Sequence, residues 1–299
     1  RKVMKQVLLD GQGQIQVVDV PAPALEPGHV LVHAAFSLIS SGTELAAMRH
    51  RATSPLRRAL ARPDLVRSLG QQVLREGLGA TRDRVTDRLS SWTPVGYSLA
   101  GTVTETGQGV ESLRPGDIVA CSGSEHAQHA EVVAVPARLA LPVPAGVDLR
   151  AAAFAPVGAI AMHAVRRSGA TLGETVAVIG LGLVGLLICQ LLHATGCRVL
   201  GIDPNSKRRT LAEQFGCLTT HPDSSDLGAL NVKVTGGLGA DAVIIAAGTC
   251  SDAPVNQAFS LARERGRVVV VGDVGMKLDR EDFYHKELDL VMSRSLGPG

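Results

Sequence analysis

The chain has 299 residues, enough for two domains at about 100–200 residues each. Hydrophobic residues make up 45% and charged residues 19%, which supplies a core and excludes disorder as the main state. With 3% aromatics and a formal charge of +2, the chain lacks both the rings for a base-stacking platform and the global charge for a polyanion partner.

The first half reads as short strands. Residues 5–9 and 14–19 flank Gly11-Gln12-Gly13 and suggest a hairpin. Pro21, Pro23 and Pro27-Gly28 then mark a loop. Residues 29–37 form a strongly apolar strand, followed by strands at 101–106, 117–121 and 130–135. Leu113-Arg-Pro-Gly-Asp117 is a tight turn before one of them. This is the pattern of a small, irregular antiparallel barrel. The second half alternates strands (175–179, 198–202, 240–246, 266–271) with helices (183–195, 206–215, 254–263). Such alternation predicts a parallel sheet with helices on both faces.

Five cysteines, at 121, 189, 197, 217 and 250, share no C-x-x-C spacing and read as reduced thiols of a cytoplasmic protein. Residues 1–10 lack the continuous apolar stretch of a secretory leader, so none is expected there. The longest apolar run, residues 176–189, carries three glycines and falls short of a span of about 20 residues.

The strongest chemical signal is Gly180-Leu-Gly182-Leu-Val-Gly185, a G-x-G-x-x-G run between a β-branched strand and a helix. Gly180 allows the tight turn, Gly182 the approach of a pyrophosphate, and Gly185 close helix packing. The phosphates would sit on the helix N-terminus, at Leu183 and Val184. Asp203 ends the next apolar strand, 23 residues after Gly180, where a carboxylate accepts from ribose hydroxyls and repels a 2′-phosphate. NAD is therefore expected over NADP, although Lys207, Arg208 and Arg209 follow closely and can reach a phosphate.

Further segments carry a family resemblance. Pro27-Gly-His-Val-Leu-Val, the Gly107–Asp117 turn, the Ala151–Val165 stretch and Thr235-Gly-Gly-Leu-Gly-Ala-Asp241 resemble the medium-chain dehydrogenase/reductase (MDR) superfamily, the zinc alcohol dehydrogenase-like proteins. Ser40-Ser-Gly-Thr-Glu44, Pro94-Val-Gly-Tyr-Ser98, Phe283-Tyr-His-Lys-Glu-Leu-Asp289 and the last seven residues look like the MDR half of bi-domain oxidoreductases, in which it is fused to a Gfo/Idh/MocA-type domain.

The resemblance implies an α/β chain. A GroES-like irregular β-barrel domain would span 1–150, with a helical Arg-rich insertion at 49–93. A Rossmann doubly wound parallel-sheet NAD(P)-binding domain would span 151–299, with the family's C-terminal return segment missing. It also implies hydride transfer between nicotinamide and an alcohol or carbonyl substrate, sugar-related or anionic, and a homo-oligomer, with neither nucleic acid nor membrane as partner. The alternatives are a reductase of activated double bonds, of quinone or enoyl type, and a non-catalytic NAD-binding module of a larger bi-domain protein.

The family's catalytic zinc ligands align with Ser41, Tyr97 and Pro156. Hydroxyls and an imino acid do not replace thiolate and imidazole, so no zinc is expected. A different set, Cys121, His126, His129 and Glu131, is dense in ligand types, but reads as a polar loop. Without a metal, Ser41, Thr43 and Tyr97 are the expected hydroxyl donors, with Glu44 orienting the loop or acting as base. Thr43 and Glu44 read equally as a helix N-cap pair and Tyr97 as a packed ring; His129 is a further acid/base candidate that reads rather as a satisfied surface histidine. The 49–93 insertion holds ten Arg against four acids. Its apolar spacing predicts a helix over 64–78 and another over 81–89, either a basic lid for an anionic substrate or a solvated hairpin.

Overall fold

A computed structural model describes residues 3–52 and 92–297. The Arg-rich segment, with its two expected helices, lies almost wholly outside the described residues. The chain divides into two compact units, 1–156 and 157–299.

The first unit is antiparallel. Strands β1 (Val3–Leu9) and β2 (Ile15–Pro21) pair as a hairpin. Asp10 shapes its turn, because its Oδ1 accepts from the N–H groups of Gln12 and Gln14, both at 2.8 Å. Strand β3 (His29–Ser37) and helix α1 (Ser41–Ala52) follow. After the undescribed segment come β4 (Thr93–Pro94), β5 (Ser98–Thr106), β6 (Ile118–Ser122), β7 (Val132–Pro136) and β8 (Ala140–Pro142). A five-stranded curled sheet has the order β7-β3-β5-β6-β8, and a small sheet the order β2-β1-β4. Val30, Val32, Leu99, Val103, Val119 and Val135 fill the core of the larger sheet. Register shifts in the β3–β5 pairing, at Leu31/Val32 and Ala34/Phe36, bend the end of β3. A short helix, α2 (Leu149–Ala152), is capped by Asp148, whose Oδ1 accepts from Arg150 N–H at 2.6 Å.

Helix α3 (Ala155–Ser168) leads into the second unit. There β9 (Thr175–Ile179), β10 (Arg198–Ile202), β11 (Leu218–Thr220), β12 (Ala240–Ile245), β13 (Ala262–Val270) and β14 (Asp289–Met292) form a parallel sheet of order β11-β10-β9-β12-β13-β14. All five residues of β9 are buried, as a central parallel strand covered on both faces requires. Helices α4 (Leu183–Ala194), α5 (Ser206–Gln214), α6 (Leu227–Thr235), α7 (Ala253–Leu261) and α8 (Arg280–His285) make the connections. Gly185, Ile188, Cys189 and Leu192 are the buried residues of α4. Their i, i+3, i+4, i+7 spacing is one helix face. Strand order reverses beside β9, where the chain leaves β11 and returns at β12, so the α/β switch point falls at the end of β9.

One element differs in kind from its sequence reading. The helix expected to reach Arg263 stops at Leu261, and β13 begins at Ala262. Ala262 pairs with Ala240, and the register then shifts to Arg267 opposite Ala242, with Arg265 at φ 54°. Arg263 Nε donates to Asp241 Oδ1 at 2.8 Å. These cross-strand partners override the local helical pattern. Among the described residues, no helix is long and apolar enough to cross a membrane.

Candidate functional site

In the second unit, the glycine run forms the turn between β9 and α4. Gly180 has φ +95°, and a Cβ there would stand 2.6 Å from Ala247 N, so the turn needs glycine for both conformation and space. A Cβ on Gly185 would lie 1.9 Å from the Gly180 carbonyl oxygen, whereas Gly182 faces open space. Gly180 N–H donates to Ile202 C=O at 2.8 Å, which ties the turn to β10. The first intrahelical bond of α4 runs from Leu186 N–H to Gly182 C=O at 2.9 Å. The N–H groups of Leu183, Val184 and Gly185 precede it, as the free donors at a helix start do.

Asp203 sits at the end of β10 and is only 2% exposed. Its Oδ2 accepts from Leu181 N–H inside the glycine turn, and its Oδ1 from Asn205 N–H, both at 2.8 Å. The carboxylate thus braces the turn against the start of α5, a structural part that sequence reasoning missed. A carboxylate offers about four acceptor positions, so others remain. Arg208, on exposed α5 surface, reaches Asp203 Oδ2 at 3.5 Å, and Lys207 is exposed beside it. Arg209 instead donates to the Asp203 and Pro204 carbonyls at 2.7 and 3.1 Å.

In the first unit, Ser41, Thr43 and Glu44 lie in the opening turn of α1. Glu44 is buried. Its Oε1 accepts from Ser40 N–H at 2.9 Å, and Ser40 Oγ lies 3.4 Å from Thr43 Oγ1. Glu44 thus folds back on the N–H that precedes the helix, while the Ser40 and Thr43 hydroxyls bond each other. Ser41 and Thr43 are exposed. Glu44 also receives His129: Nε2 lies 3.3 Å from the same Oε1, and Nδ1 lies 2.8 Å from Ser37 Oγ. His129 is therefore a buried, doubly bonded residue at 8% exposure, not the surface histidine its polar neighbours suggested. Its ring abuts Gly96, where a Cβ would meet ring carbons at 3.0 Å. One imidazole thus gathers the α1 start and the turn carrying half-buried Tyr97.

The alternative ligand set is dispersed. Cys121 is buried in the β-core, and burial pushes its thiol up to about 12. His126 pairs with the His29 ring at 6.0 Å. Glu131 Oε2 accepts from Lys5 N–H at 2.7 Å. Among the described residues, no three His, Cys, Asp or Glu side chains are gathered as a metal site. The donor chemistry at Ser41, Tyr97 and Pro156 does not fit a zinc ion, since none offers a thiolate, imidazole or carboxylate.

A glycine turn and helix start at the switch point of a parallel sheet define a dinucleotide-binding α/β protein. Residues 184–298 match the family model described as "Zinc-binding dehydrogenase". The chain is 31% identical to 2-dehydro-3-deoxy-L-galactonate 5-dehydrogenase of Pseudoalteromonas atlantica over 236 residues, 69% of this chain and 68% of that protein. It belongs to the MDR superfamily of oxidoreductases. Across the first curated relatives it spans from about half to about two thirds of their lengths. A Sinorhizobium meliloti 1021 protein assigned as a zinc-binding dehydrogenase, bound to NADP, shares the fold at TM-score 0.77 and 24% identity, covering 98% of this chain and 84% of that one. A protein of Escherichia coli CFT073 named as a short chain alcohol dehydrogenase, complexed with NADH, gives 0.76 and 21%, covering 99% and 84%.

Proposed function

We propose that this chain is a zinc-independent, nicotinamide-dependent oxidoreductase that interconverts an alcohol and a carbonyl on a polyol or sugar-acid substrate, with NAD preferred. The glycine turn braced by Asp203 is the observation that carries the cofactor reading. The bound nicotinamide supplies or accepts the hydride. The Leu183, Val184 and Gly185 N–H groups would hold the pyrophosphate over the open face at Gly182. The unused acceptor positions of Asp203 suit ribose hydroxyls, and its charge opposes a 2′-phosphate. The named substrate of the Pseudoalteromonas relative, an anionic polyol derivative, supports the substrate class.

Without a Lewis acid, developing charge on the substrate oxygen must be met by neutral donors. Ser41 and Thr43 are exposed in the first turn of a helix, where the partial positive charge of the terminus adds to their hydroxyls. Tyr97 offers a phenol as the proton-transferring group. Glu44 holds this turn in place through Ser40 N–H.

Calorimetric titration with NAD and NADP, with metal content by mass spectrometry, is the first test. Tighter binding of NAD and substoichiometric zinc are expected, and Asp203→Ala should narrow the NAD preference. Failure of both dinucleotides to bind overturns the cofactor reading. Turnover of aldonates and polyols, followed by reduced-cofactor absorbance, is expected to be lost in a Tyr97→Phe, Thr43→Ala double variant. Unchanged turnover removes those residues from the chemistry.

A further inference from the structure

Ser37, His129 and Glu44 form a linked set, of which the oxidoreductase reading uses only Glu44, to hold the start of α1. A carboxylate only accepts, so the proton shared by Glu44 and His129 sits on Nε2. In a neutral ring Nδ1 is then an acceptor, and the Ser37 hydroxyl, 2.8 Å away, donates to it. The order is hydroxyl, imidazole, carboxylate, which is the arrangement that activates a serine, recognised by roles and geometry whatever its place in the chain.

The fold restrains each member. His129 N–H donates to Val95 C=O, and its own C=O accepts from Val7 N–H, both at 2.8 Å. The ring lies against Gly96, which has no side chain to displace it. Glu44 is fixed by Ser40 N–H. His129 and Glu44 are each 9% exposed at their side chains, while Ser37, past the β3 register shift, is exposed. A shielded base and orienting acid behind an accessible hydroxyl supply the nucleophile–base and base–orienter contacts of such a site. Ser37 opens on a groove of about 290 Å³, close to the lower size of small-molecule sites, lined by Val17, Ala35 and Phe36, with Lys5 among its polar groups.

We propose that Ser37 is an activated nucleophile, with His129 as its general base and Glu44 as the residue that orients the base, and that this groove takes small activated carboxylic esters. Ser37 Oγ bonds to the ester carbonyl carbon as its proton passes to His129 Nδ1. The bond to the leaving oxygen breaks, and that oxygen takes the proton from Nδ1. Water then bonds to the acyl carbon as its proton passes to the same Nδ1; the bond from that carbon to Ser37 Oγ breaks, Oγ takes the proton from Nδ1, and the free acid leaves. No redox partner is involved, and the site lies within the first unit, independent of the dinucleotide turn.

The full chain is incubated with an alkyl fluorophosphonate, then with p-nitrophenyl acetate, and adducts are located by peptide mass spectrometry. A single adduct on Ser37 and release of p-nitrophenolate are expected. Ser37→Ala should abolish both while the chain still unfolds in one cooperative transition, with a melting temperature lowered only by the lost bond to His129 Nδ1. His129→Gln should slow both by about 100-fold, the lower range for loss of a general base. Absence of a Ser37 adduct in the parent overturns the proposal, as does equal labelling of His129→Gln. Should His129→Gln fail to fold, the comparison of the parent with Ser37→Ala decides alone.

Discussion

Two helix starts carry the proposed chemistry of this chain, and they are built in opposite ways. The turn before α4 is made from absent side chains. Gly180 and Gly185 leave no room for a Cβ, and backbone N–H groups are what it presents. The turn before α1 is made from side chains: Ser40, Thr43, Glu44 and His129 bond one another around the first residues. A backbone site recognises phosphate, which every dinucleotide carries, so few sequences satisfy it and it is easily read. A side-chain site can exchange its chemistry while the helix start persists. In the proposed reading, the hydroxyls of Ser41 and Tyr97 take positions where the family holds metal donors.

Gly185→Ala tests the first design and carries the largest expected effect. The added methyl would sit 1.9 Å from the Gly180 carbonyl oxygen, so backbone must move. We expect a loss of roughly 3 kcal/mol, in the range of severe overpacking, together with loss of NAD binding, read by thermal unfolding and calorimetry. A stable variant with normal affinity would mean that the close contact is not required.

Glu44→Ala tests the second. It strips the acceptor from both Ser40 N–H and His129 Nε2 in a buried setting. A cost of about 1–3 kcal/mol is expected for leaving such groups unpaired. Glu44→Gln, which keeps one acceptor oxygen, should recover part of it in urea denaturation. Dinucleotide affinity should stay unchanged in both variants, since Glu44 belongs to the other unit. A parallel loss of affinity would break the separation of the two designs.

The smallest effect concerns thiols. Cys250 is exposed, and Cys121, Cys189, Cys197 and Cys217 are buried. Burial holds the Cys121 thiol near 12, so its reactive thiolate is absent at mildly alkaline pH. Maleimide should modify Cys250 alone in the folded protein and all five cysteines after unfolding. Stability should not change on Cys250 labelling, and rapid modification of a second thiol would contradict the packing of the sheets. The linkage has a definite sign. With its folded-state value raised, Cys121 contributes stability that is complete below the ordinary thiol range and lost as pH climbs toward 12.

Wherever a local rule had no competitor, the sequence alone was sufficient. Residues 29–37, 175–179 and 198–202 form strands with the expected ends, because continuous β-branched or apolar runs have no good helical alternative. The glycine turn was legible because a positive φ and a missing Cβ leave only one residue type. Short or amphiphilic segments were not legible. Strands β11 and β14 exist through their neighbours in the sheet, and β13 starts at Ala262 because Ala240 is there to pair with it.

Site residues divide on the same line. Spacing placed Asp203 at the strand end, but only the folded chain shows its carboxylate spanning from Leu181 N–H to Asn205 N–H. Composition placed His129 in a polar loop and made it a surface residue. The tertiary structure buries it between Gly96 and Glu44, 85 positions away in sequence. Spacing and residue type therefore determined the backbone-built cofactor turn, whose requirements are local. The partners of buried polar side chains were decided by tertiary structure alone, because a hydrogen bond between distant segments depends on how the strands register and leaves no periodic mark on the sequence.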